Sequence, residues 1–189
     1  KVMAEVNGKP FLEYILDYLI SEDFINVTLL LGYKSEYIKN FYGDNYKNLK
    51  ISYSVEREIL GTGGAVKFAS KSINNKYLFV LNGDTYNFIK DVKDILKVQN
   101  NSEVIFTKRL INVSRYGNIK VDEEGYIISL LEKSNKVEPG LINTGTYVIN
   151  KNDLNSNEAD KFSLEREYLP KQIDKKKVLS LPTDGLFID

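Results

Sequence analysis

The chain predicts an α/β fold with a mixed, mostly parallel central sheet and helices on both faces. Three observations carry that expectation. Helical and strand-like segments alternate through the first half. The strand candidates are near-continuous apolar runs such as "NVTLLLGY" and "KYLFVLNGD", which suits strands covered on both sides. A later pair of alternating runs around the turn "VDEEGY" reads as a hairpin, so the sheet should be mixed.

The elements follow in order. "FLEYILDYLISED" sets Phe11, Ile15, Tyr18 and Leu19 at helical spacing behind Pro10, which suits a first turn. "NVTLLLGY" reads as a buried strand, and "SEYIKNFYGD" offers Ser35 as the cap of a short amphipathic helix. "KISYSVE" alternates Ile51, Tyr53 and Val55 as a strand. The glycines of "ILGTGGAV" then break the chain before the helix-compatible "AVKFASKSI", and "KYLFVLNGD" is a further strand. After Val98 the segments "EVIFTKRL", "GNIKVDEEGYIISLLEK" and "GLINTGTYVIN" are strand-like. "FSLEREYLPKQI" returns to helix, with Ser163 as cap and Glu165 and Glu167 in the first turns, where the helix dipole favours them. "KVLSLP" and "GLFID" close as short strands. No repeat, linker or low-complexity segment divides the 189 residues, so one domain over 1–189 is expected.

Composition narrows the chemistry. Lys plus Arg and Asp plus Glu balance at 26 each, so no overall basic field attracts nucleic acid or an anionic membrane, and anion binding must be local. The chain has no cysteine and no histidine. Thiolate nucleophiles, disulfides, Ser-His catalysis and most zinc chemistry are thereby excluded, leaving carboxylates, Lys, Arg, Tyr and backbone amides. No apolar run approaches the ~20 residues that span a bilayer, and with no signal-like segment a cytoplasmic location is expected.

Several residues could carry chemistry, each with a plainer reading. Asp84 stands where the apolar run "YLFVL" stops. A carboxylate there can hold magnesium beside substrate phosphates, or can simply make a turn after Gly83. Asp189, closing "LFID", is available as a second carboxylate. "EREILGTGGA" places Gly61, Gly63 and Gly64 between a strand and a helix, either to let backbone amides approach an anion or a base, or to make a tight turn. Glu132 and Lys133 could meet sugar hydroxyls and a phosphate, or form a solvated surface pair. "RYG" could bring Gly117 to a ligand or merely start a strand. "NTGTY" could set Asn143 on a sugar hydroxyl or be a strand bent at Gly145.

In collinear order, "KVMA…NGKPFLEYIL", "EREILGTGGA", "VLNGDT", "RYGNIKVD", "LEK", "GLINTGTY", "FSLE" and "LFID" resemble the sugar-1-phosphate nucleotidyltransferase family over essentially the whole chain. Within it the likeness is greatest to guanylyltransferases acting on a heptose 1-phosphate, with hexose-1-phosphate enzymes close behind. The resemblance implies the Rossmann-like nucleotide-diphospho-sugar transferase fold. It implies Asp84 and Asp189 as ligands of a catalytic Mg2+. Glu56, Leu60, Gly61, Thr62, Gly63, Gly64, Asn82 and Gly83 fall on the nucleotide, and Tyr116, Gly117, Glu132, Asn143 and Thr144 on the sugar. Lys133 falls on the sugar phosphate and Lys1 on the phosphates. The chain departs from the family pattern at Val2, where proline is usual. The family's first strand and its "G-G-x-G-T-R" loop are expected before Lys1, and further residues after Asp189.

The implied reaction is attack by the sugar 1-phosphate oxygen on the α-phosphorus of a nucleoside triphosphate, with release of pyrophosphate. An ionised phosphate is already a nucleophile at neutral pH, so the missing histidines are no objection. GTP is the expected nucleotide. Relatives using uridine or thymidine nucleotides commonly carry glutamine where Glu56 stands, and an ionised carboxylate is acceptor-only, matching the two adjacent donors of guanine. The expected partners are thus GTP and a sugar 1-phosphate, with a homo-oligomer allowed and neither nucleic acid nor membrane. The alternative reading is a noncatalytic nucleotide-sugar-binding or regulatory subunit of the same fold. A glycosyltransferase is disfavoured because "GDTYN" has no second acid for a "D-x-D" motif.

Overall fold

The computed structural model describes residues 1–97, 102–131 and 137–189. A small hairpin of β1 (Glu5–Val6) and β2 (Lys9–Pro10) feeds α1 (Phe11–Ser21), followed by β3 (Asn26–Leu31), α2 (Ser35–Tyr42), β4 (Asn45–Tyr46), β5 (Leu49–Val55) and α3 (Gly61–Ser70). Then come β6 (Tyr77–Leu81), β7 (Tyr86–Asn87), α4 (Val92–Lys97), β8 (Glu103–Leu110), β9 (Asn118–Val121), β10 (Ile127–Leu130) and β11 (Gly140–Asn150). The chain closes with α5 (Lys151–Asn155), a π-helical turn at Leu164–Tyr168, α6 (Leu169–Asp174), β12 (Val178–Pro182) and β13 (Phe187–Ile188).

α1 forms because Leu12, Ile15, Leu16 and Leu19 share the face that is buried, and Pro10 stands at its N-cap with its fixed φ of −55°. Ser35 is not a cap. It is the first residue of α2, behind Lys34 in the left-handed conformation, and no side chain caps that helix. Ser163 does cap the segment after it: its hydroxyl accepts the Arg166 N–H at 3.2 Å while Glu167 reaches back to the Ser163 N–H at 2.8 Å. The turn it opens is π-helical rather than α-helical.

The central sheet runs β10-β9-β11-β8-β12, with β6 on β11. It is mixed, as expected, but mostly antiparallel rather than mostly parallel. β11 receives β6, β8 and β9 all antiparallel, and among the described residues only β8–β12 here, with β3–β5 in the sheet β3-β5-β4, are parallel. The apolar runs reported coverage by helices, which is real, and not strand direction. Helices do lie on both faces. From β8 and β11, Ile105, Tyr147 and Ile149 turn to a cluster with Val66 of α3, Leu154 of α5 and Leu169 of α6. Their neighbours Val104, Phe106 and Val148 turn the other way, to Tyr18 of α1 and Val92 of α4. That is the period-2 alternation of a strand buried on both sides. A third cluster gathers Leu12, Leu16 and Leu19 of α1 over Leu29 of β3, Ile51 of β5, and Phe79 and Leu81 of β6. Among the described residues, β3 pairs only with β5 and β6 only with β11.

Candidate active site

The carboxylates come first. Asp84 follows β6 through Asn82 and Gly83, and that link is clamped to β11: the Asn82 N–H donates to the Gly145 carbonyl at 2.8 Å. Gly145 has φ +73°, and a Cβ there would lie 2.4 Å from the Asn82 amide, so only glycine fits both the turn and the contact. Asp189 arrives from the far end of the chain. β13 pairs antiparallel with β7, Ile188 opposite Tyr86, so Asp189 leaves the ladder at the end from which Asp84 enters it. The Phe88 N–H donates to Leu186 O at 2.9 Å and Lys108 Nζ to Gly185 O at 2.6 Å, tying this terminal segment down.

Lys1 and Tyr116 each stand against one of these carboxylates. Lys1 Nζ lies 3.4 Å from Asp84 Oδ2, with both side chains well exposed. The Tyr116 ring meets Phe187 edge-on at 6.2 Å, and burial, then the charge of Asp189, push its phenol up, so it remains a protonated donor. Tyr116, expected on the sugar, therefore stands beside Asp189, expected on the metal.

The nucleotide stretch has a different logic. Glu56 does not point to solvent: it is half-buried, Oε2 accepts the Leu60 N–H at 3.1 Å, and a Cβ on Gly32 would come within 3.0 Å of Oε1. It borders a recess of about 40 Å³ with Leu30, Leu31, Ser54, Ala65 and Phe68. A larger, open recess of about 520 Å³ lies elsewhere, between Lys39, Asp44 and Lys50–Tyr53, and contains none of the sequence-predicted residues. The amides of Gly63 and Gly64 both donate to Phe162 O, at 3.0 and 3.2 Å. A Cβ on Gly61, Gly63 or Gly64 would fall 2.6, 2.2 or 2.3 Å from the 160–162 segment. These glycines thus seat the start of α3 on that segment, and the amides of Gly63 and Gly64 are committed within the protein. Lys67 strengthens the seat through Asn157 O, Ala159 O and Asp160 at 2.8–3.1 Å.

On the sugar side, Gly117 is required by packing, since a Cβ would lie 2.6 Å from Leu131 O. Asn143 opens a register shift in β11, its Oδ1 accepting the Gly145 N–H at 2.8 Å and its Nδ2 donating to the Tyr147 hydroxyl at 2.9 Å. The Thr144 hydroxyl is buried, accepting from Asn87 and donating to Phe106 O, both at 2.8 Å, so any ligand contact falls to its backbone. Glu132 and Lys133 lie outside the described residues.

Sequence reasoning missed two members of this constellation. Tyr147 passed as a strand residue and Glu165 as a dipole-matching first-turn acid, yet the two are hydrogen-bonded at 3.1 Å. The signal available was the collinear motif "FSLE" itself.

Residues 1–179 match the family model described as "Nucleotidyl transferase". The chain is 40% identical over 190 residues to a D-glycero-alpha-D-manno-heptose 1-phosphate guanylyltransferase of Campylobacter jejuni subsp. jejuni serotype O:2, covering 100% of this chain and 84% of that protein. To a protein of the same name from Aneurinibacillus thermoaerophilus it is 35% identical over 193 residues, covering 100% and 83%. Among solved structures, HddC from Yersinia pseudotuberculosis complexed with GMP-PN superposes with a TM-score of 0.88 at 34% identity, covering 100% of this chain and 83% of that one.

Proposed function

The chain belongs to the nucleotidyl transferase family, and from that premise we propose that it joins a sugar 1-phosphate to the guanylyl group of GTP, releasing pyrophosphate. The observation that best supports this reading is the β7–β13 register, which sets Asp84 and Asp189 at the same end of one short ladder, with Lys1 against Asp84 and Tyr116 against Asp189. The similarity to named heptose 1-phosphate guanylyltransferases supports a heptose or hexose 1-phosphate as the acceptor.

The carboxylate pair fits a divalent ion. Both side chains are exposed and both are hard oxygen donors. Magnesium binds through one or two carboxylates and completes its shell with water and substrate phosphates. When bound, the ion would supply charge neutralisation for the phosphoryl oxygens.

The chemistry left to the protein is positioning and electrostatics. One oxygen of the sugar phosphate forms a bond to the α-phosphorus while the bond from that phosphorus to the bridging β-phosphate oxygen breaks, and pyrophosphate departs with the electron pair. No proton need be removed from the nucleophile. Lys1, with Lys133 on the sugar phosphate, offsets the anionic oxygens. Asn143 and the Gly117 backbone orient the sugar, and Glu56 accepts from N1–H and the exocyclic amine of guanine. Among the described residues no helix is long and apolar enough to cross a membrane.

Phosphorus-31 NMR of the full protein with Mg2+, GTP and candidate heptose and hexose 1-phosphates tests the reading. Coupled pyrophosphodiester resonances should appear together with free pyrophosphate. Hydrolysis of GTP without a new diester, or no reaction with any sugar 1-phosphate, would reject it.

A further inference from the structure

We propose that Glu165 is a positioning residue that sets the orientation of the Asn143 amide and so determines what the sugar side of the site offers its substrate; this rests on the nucleotidyl-transfer reading above. The argument is one of donors and acceptors. Glu165 Oε1 faces the Tyr147 hydroxyl at 3.1 Å, and Oε2 faces the Thr62 and Ser163 hydroxyls at 2.7 and 3.2 Å. An ionised carboxylate only accepts, so all three hydroxyl protons point at it. Tyr147 has spent its one proton, and its oxygen can therefore only accept from Asn143 Nδ2, 2.9 Å away. The Gly145 N–H holds Asn143 Oδ1 from the other side at 2.8 Å. The amide cannot flip without setting its NH2 against the Gly145 N–H and its oxygen against a lone pair of Tyr147. Its remaining N–H is left in a fixed place, suited to a hydroxyl or phosphate oxygen.

The carboxylate is itself held by design. It comes from the π-helical turn at Leu164–Tyr168, an unusual geometry that tends to occur at functional positions. Thr62 takes the Leu164 N–H at 2.8 Å on the oxygen whose proton it gives to Glu165, and Ser163 does the same with the Arg166 N–H at 3.2 Å. Burial, then the charge of Glu165, push the Tyr147 phenol up, which keeps the relay's proton on the tyrosine. Thr62 thus sits in the nucleotide stretch by sequence, while its side chain serves the sugar side through Glu165.

The test is steady-state pyrophosphate release by the full protein, with GTP and the sugar 1-phosphate varied in turn, for wild type, Glu165→Gln, Thr62→Val and Tyr147→Phe. Each variant should raise the KM for the sugar 1-phosphate about tenfold, at least about threefold more than it raises the KM for GTP. Thermal unfolding should fall by only a few degrees for Tyr147→Phe, which removes one buried hydroxyl and keeps the ring. Asn143→Ala should add less than about twofold to the sugar KM once Glu165→Gln is in place, because the two act on one contact. Should Glu165→Gln not fold, Tyr147→Phe alone decides. Active wild type with unchanged sugar KM in the variants, or with both KM values raised alike, overturns the inference. Wild type inactive with every sugar 1-phosphate overturns the functional reading, and the inference with it.

Discussion

Asp84 and Asp189 stand at the same end of a ladder only two residues long. β7 and β13 pair through Asn87 with Phe187 and Tyr86 with Ile188, so residues about a hundred positions apart in the chain share one corner of the site. Phe187 is also the ring on which Tyr116 packs. Phe187→Ala should therefore act on the site without touching a substrate. Losing a half-buried ring and its aromatic contact should lower stability by about 1–2 kcal/mol and reduce turnover through a loosened Asp189. Denaturant unfolding together with a magnesium titration of activity checks it, with a higher magnesium requirement expected.

Gly63 and Gly64 are expected to tolerate no side chain. A Cβ at either position would collide with Phe162 or Asp160 at 2.2–2.3 Å, so Gly63→Ala or Gly64→Ala should cost about 2 kcal/mol or more. A lower denaturation midpoint at unchanged slope would bear this out.

Glu103 predicts a pH dependence unrelated to catalysis. It is fully buried at the start of β8, and burial raises its pKa to about 7 despite hydrogen bonds from Tyr168 and the Asn150 N–H; Asp153 raises it further and Lys177 lowers it. Among the described residues its Oε2 has no hydrogen-bond partner. The folded pKa lies above the unfolded one, so the folded state binds more protons. The stabilisation is full below about pH 4.5 and is lost as pH rises through about 7. The loss should be at most roughly 3 kcal/mol. Melting temperatures from pH 5 to 8 should fall with pH in wild type and fall less in Glu103→Gln.

Nucleotide choice should follow Glu56. GTP should outperform UTP, dTTP, CTP and ATP, and Glu56→Gln should erode that preference by about tenfold or more, because the wrong base leaves buried polar groups unpaired. Competition kinetics over the five nucleotides measures it; equal use of UTP by wild type would contradict the assignment.

Much of the fold was legible because burial has a sequence period. The alternation of Ile105 and Phe106, or Tyr147 and Val148, to opposite clusters is the pattern of strands covered on both sides. Strand direction was not legible, since a doubly covered strand looks equally apolar in either sense, and β11 proves antiparallel to both β6 and β8. Asp84 and Asp189 stood out as acids closing apolar runs. The β7–β13 ladder that joins them was too short to leave a signal. Glu165 was hidden for another reason: an acid in a first turn already has a sufficient local explanation in the helix dipole, and its longer-range partners depend on the bulge at Gly145 and on the π-helical turn.

The central claim is that this corner transfers a nucleotidyl group through Asp84. The most direct measurement is magnesium-dependent pyrophosphate release from GTP and a sugar 1-phosphate by wild type and by Asp84→Asn. The exposed position of Asp84 makes the amide harmless to the fold, so release should drop by at least about 100-fold with the melting temperature unchanged. Release near the wild-type rate by Asp84→Asn would contradict the account.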